Sequence, residues 1–283
     1  MVAILDNGVS NEQLNSEMKK IVWIASYPKS GNTWIRSILA NAIFEESDIR
    51  KLGKLIPSFP FVNQSVHPTT KELSHIGELM QAFERTQDWI VSKSGNNHSL
   101  VKTHNACGFI EGVKFPNDKC TAGSIYIVRD PRDVLVSLAA HNNTTFEETE
   151  KTMLDVNFCI ARPGRPMNRE FVSSWEHHIK GWQNFAQAPL IVRYEDLINE
   201  TKPTITRIFD YLGIKNFKNF DDLMSKTSFQ ALQKQEEGGG FDEKMGAEMF
   251  FRSGKVGSWK DCDFDFSKIT RAFESTMAFY NYI

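Results

Sequence analysis

Apolar and β-branched residues gather into four short runs, Ile21 to Tyr27, Ser99 to Thr103, Ser124 to Arg129 and Leu190 to Tyr194. Three of them are nearly continuous rather than alternating, which is how strands covered on both faces read. Helical periodicity lies between the runs. It is clearest after the first, where Ile35, Ile38, Leu39, Ala42 and Ile43 recur at i, i+3, i+4, i+7 and i+8, leaving Arg36, Ser37 and Asn41 outside the apolar stripe. Strands alternating with helices predict an α/β fold of the doubly wound type, with a central parallel β-sheet flanked by helices. The polar stretch 1–19 reads as a lead-in and 20–283 as a single domain, without internal repeats. Gly238-Gly239-Gly240 marks a loop that the sequence leaves open as a lid or a surface excursion.

Composition narrows the function classes. A chain of 283 residues with 41% hydrophobic content buries a sizeable core, and a net charge of −2 argues against a general nucleic-acid binder. Residues 1–20 lack the apolar segment of a secretory signal, and no run is long enough to span a membrane. Cys107, Cys120, Cys159 and Cys262 are scattered without metal-like spacing, so they read as reduced thiols of a cytosolic protein, and no metal site is expected.

Four clusters carry candidate chemistry. The run Tyr27-Pro28-Lys29-Ser30-Gly31-Asn32-Thr33-Trp34 joins the first strand to the first helix, where successive backbone N–H groups and the helix dipole suit a phosphate. In the common nucleoside-triphosphate loop the lysine follows the last glycine, whereas here Lys29 precedes Gly31. Arg129 ends another strand, with Asp130 and Pro131 opening a helix that carries Ser137; the residues alone allow either a second phosphate clasp or a plain Arg129–Asp133 pair. Lys102-Thr103-His104 closes a third strand, and of the seven histidines His104 is the one placed for catalysis. Phe250 to Lys260 holds two glycines among Arg252, Lys255 and Lys260, an anion-friendly loop or a charged turn.

In their order these clusters closely resemble the cytosolic-type sulfotransferases, which use 3′-phosphoadenosine 5′-phosphosulfate (PAPS) as donor. The resemblance spans Ile21 to Lys260. The family's P-K-S-G-T-T-W appears as Pro28 to Trp34, with Asn32 in place of a threonine, as in bacterial members. Its K-T-H is Lys102 to His104, its Y-E-D-L is Tyr194 to Leu197, its T-S-F is Thr227-Ser228-Phe229, and its R-K-G-x-x-G-D-W-K is Arg252 to Lys260 with Ser253 and Ser258 as departures. The family's C-terminal dimer motif is absent, which leaves the oligomeric state open.

The resemblance implies a P-loop nucleotide-binding fold, PAPS as co-substrate, a small-molecule acceptor, and no nucleic-acid or membrane partner. It implies His104 as general base, with Lys29 and Lys102 stabilising charge. Donor contacts would come from Lys29, Ser30, Gly31, Asn32, Thr33, Trp34, Arg129, Ser137, Tyr194, Thr227, Ser228, Phe229, Phe251, Arg252, Ser253 and Gly254. A hydroxyl acceptor leads, with an amine second. The acceptor pocket is expected among Pro57 to His67, with Phe59, Phe61, Asn63 and Gln64, among His141 to Phe146, and after Gln235; the arginines 162, 165 and 169 would face an anionic acceptor or solvent. A kinase-like phosphotransferase and an inactive nucleotide-binding module are the alternatives. The first would need a magnesium ligand set, and intact Lys29, Lys102 and His104 argue against the second.

Overall fold

At every position of Ile21–Ser26 the chain is buried, as its unbroken apolar pattern requires. A computed structural model describes residues 4–5, 20–59, 75–94, 98–161, 169–215, 217, 219–239, 241, 243 and 249–283. Its strands are β1 (Ile4–Leu5), β2 (Ile21–Ser26), β3 (Ser58–Phe59), β4 (His98–Thr103), the hairpin β5 (Gly108–Ile110) and β6 (Val113–Phe115), β7 (Thr121–Val128), the pair β8 (Cys159–Ala161) and β9 (Arg169–Phe171), and β10 (Leu190–Arg193). Its helices are α1 (Asn32–Phe44), α2 (Leu52–Leu55), α3 (Ile76–Lys93), α4 (Pro131–Asn142), α5 (Phe146–Leu154), α6 (Trp175–Gln183), α7 (Tyr194–Asn199), α8 (Thr201–Leu212), α9 (Phe220–Thr227), α10 (Phe229–Glu237), α11 (Ser267–Ala272) and α12 (Glu274–Phe279).

The main sheet runs β1-β4-β2-β7-β10, with β3 also beside β4. All its pairings are parallel except the short β1, which lies antiparallel to β4 and falls inside the polar lead-in. The expected α/β architecture is therefore observed. Successive residues of β2 feed opposite faces. Ile21, Trp23 and Ala25 enter a core with α3, α6, α11 and α12, while Val22 and Ile24 enter one with α1 and α8. Trp23 meets Phe59 and Phe115 edge-on, with centroids 5.4 and 5.2 Å away, so Phe59 belongs to the core rather than to a pocket wall.

The first helix departs from its one-stripe pattern. Arg36, Ser37 and Asn41 are buried along with the apolar positions, because a further cluster built on Ala40, Leu52, Leu232, Phe241 and Phe251 packs against its far side. The start of α4 forms as its sequence predicts: Asp130 caps it by accepting from the Arg132 N–H, and Pro131 takes the first turn, where no N–H is needed. Among the described residues, no helix is long and apolar enough to cross a membrane. All four cysteines are unpaired.

Candidate active site

The adjacent strands β4, β2 and β7 end together, and each delivers one candidate cluster to the same edge. The β2–α1 turn is held open by two positive dihedrals, φ 66° at Lys29 and φ 104° at Gly31. Gly31 is required twice over: its φ disfavours any side chain, and a Cβ would stand 2.6 Å from Tyr194 Cδ2. Asn32 ties the turn back to its strand, its Nδ2 donating to Ile24 O at 2.9 Å and to Ser26 Oγ at 3.2 Å. The residue that departs from the family pattern thus has a local structural role. Ser30 is fully buried with its hydroxyl unpartnered, and Thr33 Oγ1 donates to Glu243 Oε2 at 3.0 Å. Trp34 is fixed by its indole N–H on Thr227 O at 2.8 Å.

At the end of β4, Lys102 Nζ lies 3.5 Å from the Glu243 carboxylate. His104 Nδ1 is 2.8 Å from Ser26 O. A carbonyl only accepts, so Nδ1 carries the proton and Nε2 is left with its lone pair. Burial, with Lys102 nearby, holds His104 well below the usual histidine range and therefore neutral. Beneath it, His178 Nε2 donates to His104 O at 3.1 Å while Tyr126 OH donates to His178 Nδ1 at 2.8 Å. His178 is itself pushed down to about 3 by burial, so its role is structural.

Arg129, just past β7, spans the two anion-friendly loops. It donates to Lys29 O at 3.2 Å and to Lys255 O at 3.0 Å, with its guanidinium 4.3 Å above the Tyr194 ring. The Arg129–Asp133 pair is also present, at 3.8 Å, yet Asp133 is occupied chiefly by the backbone of the far loop, accepting from Gly257 N at 2.7 Å and Trp259 N at 3.1 Å. Ser137 sits one turn further along α4, half-buried. In the far loop Arg252 is exposed, Ser253 is half-buried, and Gly254 has φ 64° with the Phe229 ring only 2.4 Å from where a Cβ would sit. Phe229 opens α10 after Ser228, whose side chain caps it by accepting from Ala231 N; Thr227 before it is fully buried. Phe251 packs edge-on against Phe229 at 6.1 Å.

Lys29 has the most perturbed environment of the cations. Its Nζ lies 3.7 Å from the centre of the Phe250 ring. Burial, helped by Lys102 and Arg129 and opposed by Glu243, brings it down to about 7. Two residues at the site escape a sequence reading. Arg36 lies three residues past Thr33, a helical spacing that does aim it at the turn, but the apolar stripe reads it as an outward position. Glu243 has no sequence signal, since only the tertiary fold brings it to Arg36, Thr33 and Lys102. Of the expected acceptor residues, His141 meets Phe250 edge-on at 5.7 Å, whereas Phe61, Asn63, Gln64, His67, Arg162 and Arg165 lie outside the described residues. Arg169 opens β9 on the surface.

Known proteins resemble this chain in sequence and in fold. The chain is 26% identical over 259 residues to Cytosolic sulfotransferase 8 of Arabidopsis thaliana, covering 84% of this chain and 70% of the relative. It is 27% identical over 247 residues to the 3-alpha-hydroxysteroid sulfotransferase of Cavia porcellus, covering 83% and 75%. In fold it is similar to retinol dehydratase in complex with retinol and PAP, with a TM-score of 0.60, 20% identity, and coverage of 92% and 81%. Residues 19–278 match the family described as Sulfotransferase domain, so the chain belongs to the sulfotransferase family.

Proposed function

We propose that this sulfotransferase moves the sulfuryl group of PAPS to the hydroxyl of a small molecule, with His104 taking the acceptor proton. Sulfuryl transfer from PAPS follows from membership of the family. The reading of the site rests on one observation, the convergence of Lys29, Lys102, His104 and Arg129 at one sheet edge, where His104 presents a free Nε2.

The site suits such a donor. Its cations exceed its carboxylates, Ser30 Oγ and Arg129 Nε are buried without partners, and the Gly31 and Gly254 backbones come so close to aromatic rings that no side chain fits. Backbone N–H groups of Ser30 to Thr33 would hold the 5′-phosphate, Arg129 with Ser137, Arg252 and the Ser253-Gly254 backbone the 3′-phosphate, and Trp34, Tyr194, Phe229 and Phe251 the adenine. Thr227 and Ser228 set the position of Phe229. PAPS supplies an activated sulfuryl group and a bisphosphate leaving group.

In the transfer, a bond forms from the acceptor oxygen to sulfur as the bond from sulfur to the 5′-phosphate oxygen breaks. The acceptor proton goes to His104 Nε2. Lys29 would neutralise charge growing on the departing oxygen, and Lys102 would attract the sulfuryl oxygens. A cation of pKa about 7 is well matched to this task, since an anionic guest raises it and keeps its proton. A cytosolic location belongs to the same reading. The test is incubation with labelled PAPS and a panel of phenols, alcohols and amines. Sulfated product with release of adenosine 3′,5′-bisphosphate (PAP) supports it; protection from heat by ATP and magnesium but not by PAP would favour a phosphotransferase instead.

A further inference from the structure

Arg36 is a buried guanidinium with no exposed surface, and the P-K-S-G-x-T-W pattern does not account for it. One arm donates to Ile56 O at 2.8 Å, which anchors it to the end of α2. The other meets Glu243 Oε1, while its Nε is buried without a partner. The second oxygen of that carboxylate accepts from Thr33 Oγ1 at 3.0 Å and lies 3.5 Å from Lys102 Nζ. Thus a hydroxyl, a guanidinium and an ammonium converge on one carboxylate beside the turn that carries Lys29.

We propose that these three groups form the subsite for the sulfuryl group, that Arg36 is a further cation of that subsite, and that Glu243 occupies it until the donor takes its place. The proposal rests on the sulfotransferase reading above. A carboxylate held by a hydroxyl and two cations stands in for sulfonate oxygens, which use the same donors. The two partners differ in freedom. Arg36 is sealed and keeps its anchor on Ile56, so it stays when its neighbour leaves. Glu243 retains about a fifth of its side-chain exposure, so it has a way out to solvent. Charge points the same way: Lys29, Arg36 and Lys102 gather around the turn, Arg129 beside them is already paired with Asp133, and Glu243 offers the other three less negative charge than a phosphosulfate does.

A permanent structural ion pair is the competing account, and the two differ in sign at Glu243. Removing one partner of a buried pair weakens everything built on it. Removing a competitor strengthens binding of the rival anion. Titration of the purified chain with PAPS in the absence of acceptor, and with PAP, separates them by comparing affinities. Glu243→Gln is expected to bind PAPS about tenfold more tightly than the wild type, with a smaller gain for PAP. Arg36→Gln is expected to bind PAPS about tenfold more weakly while PAP changes by less than about threefold, because PAP lacks the sulfuryl group. Arg36→Lys, which keeps the charge, should fall between. Glu243→Gln binding PAPS no better than the wild type, or a parallel loss of PAP and PAPS affinity in both variants, overturns the proposal. Should Arg36→Gln fail to fold, the Glu243→Gln titration decides alone. Wild-type protein that binds neither nucleotide would sink the sulfotransferase reading itself, whereas wild-type binding with an unresponsive Glu243→Gln sinks only this inference.

Discussion

Around Lys29, side chains from distant parts of the chain hold each turn of the backbone, while beyond His104 the described groups are short hairpins and helix ends. On the donor side Asn32 reaches back to β2, Arg129 grips Lys29 and Lys255, Asp133 grips Gly257 and Trp259, and Trp34 holds Thr227. On the other side β5 and β6 form a small separate sheet with Phe109 73% exposed, and β9 reaches the main body through Ala106 N on Phe171 O and Phe171 N on Asn105 Oδ1. Among the described residues, the proposed donor side is thus tied by more long-range side-chain contacts than the opposite side. Under the function proposed above, one fixed nucleotide rewards a rigid cradle, whereas an acceptor side built of excursions is free to differ.

His104→Ala tests the boundary between the two sides most severely. Because His104 hangs from Ser26 on the donor strand but presents Nε2 away from it, the turnover rate should fall about 10²- to 10⁴-fold with PAP affinity nearly unchanged. Single-turnover assays with titration of PAP check this. Full transfer rate in a variant that still binds PAP would remove His104 from the mechanism.

Gly31→Ala should break the cradle itself. Strain at φ 104° and the collision with Tyr194 each cost about 1–3 kcal/mol, so a melting temperature lower by roughly 5–10 °C and a loss of PAP affinity of more than about tenfold are expected. Thermal denaturation with and without PAP measures both. A variant as stable and as tightly binding as the wild type would show that the turn tolerates a side chain.

A smaller, pH-linked effect follows from Lys29. Burial brings Lys29 down to about 7, and an anionic donor favours the protonated form. Binding PAP at pH 8 should therefore take up close to one proton, and affinity should weaken as pH rises above 7, by up to about tenfold per unit. Calorimetry in buffers of different ionisation heat reads the uptake, and Lys29→Met should abolish it. His104 contributes no opposing change in this range, since it is already neutral.

Much of this was legible in the sequence, for identifiable reasons. Strands covered on both faces announce themselves as unbroken apolar runs, and Asp130-Pro131 announces a helix start. Arg36 falls outside the apolar stripe yet is buried, because periodicity sees the face packed on the sheet and not the cluster at Ala40, Leu232 and Phe251 that covers the other side. Phe59 read as a pocket candidate because an aromatic residue in a short strand carries no sign of which side it faces. Lys29 shows nothing in its identity of a positive φ, which is imposed by the turn and by the Arg129 contact to its carbonyl.

Asn32→Thr gives the smallest effect and the finest test of the cradle's redundancy, since it restores the residue of the family pattern. The change removes two hydrogen bonds to β2, each worth about 0.5–1.5 kcal/mol. It also removes Asn32 Oδ1, a buried acceptor without a partner, whose cost is of similar size. The two nearly cancel, and Gly31, Arg129 and Trp34 still fix the turn. PAP affinity should therefore change by less than about fivefold, with stability altered by no more than about 1 kcal/mol. A loss of PAP binding beyond tenfold at unchanged stability would mean that the Asn32 amide contacts the donor directly, and the cradle would then depend on that one side chain rather than on its network of ties.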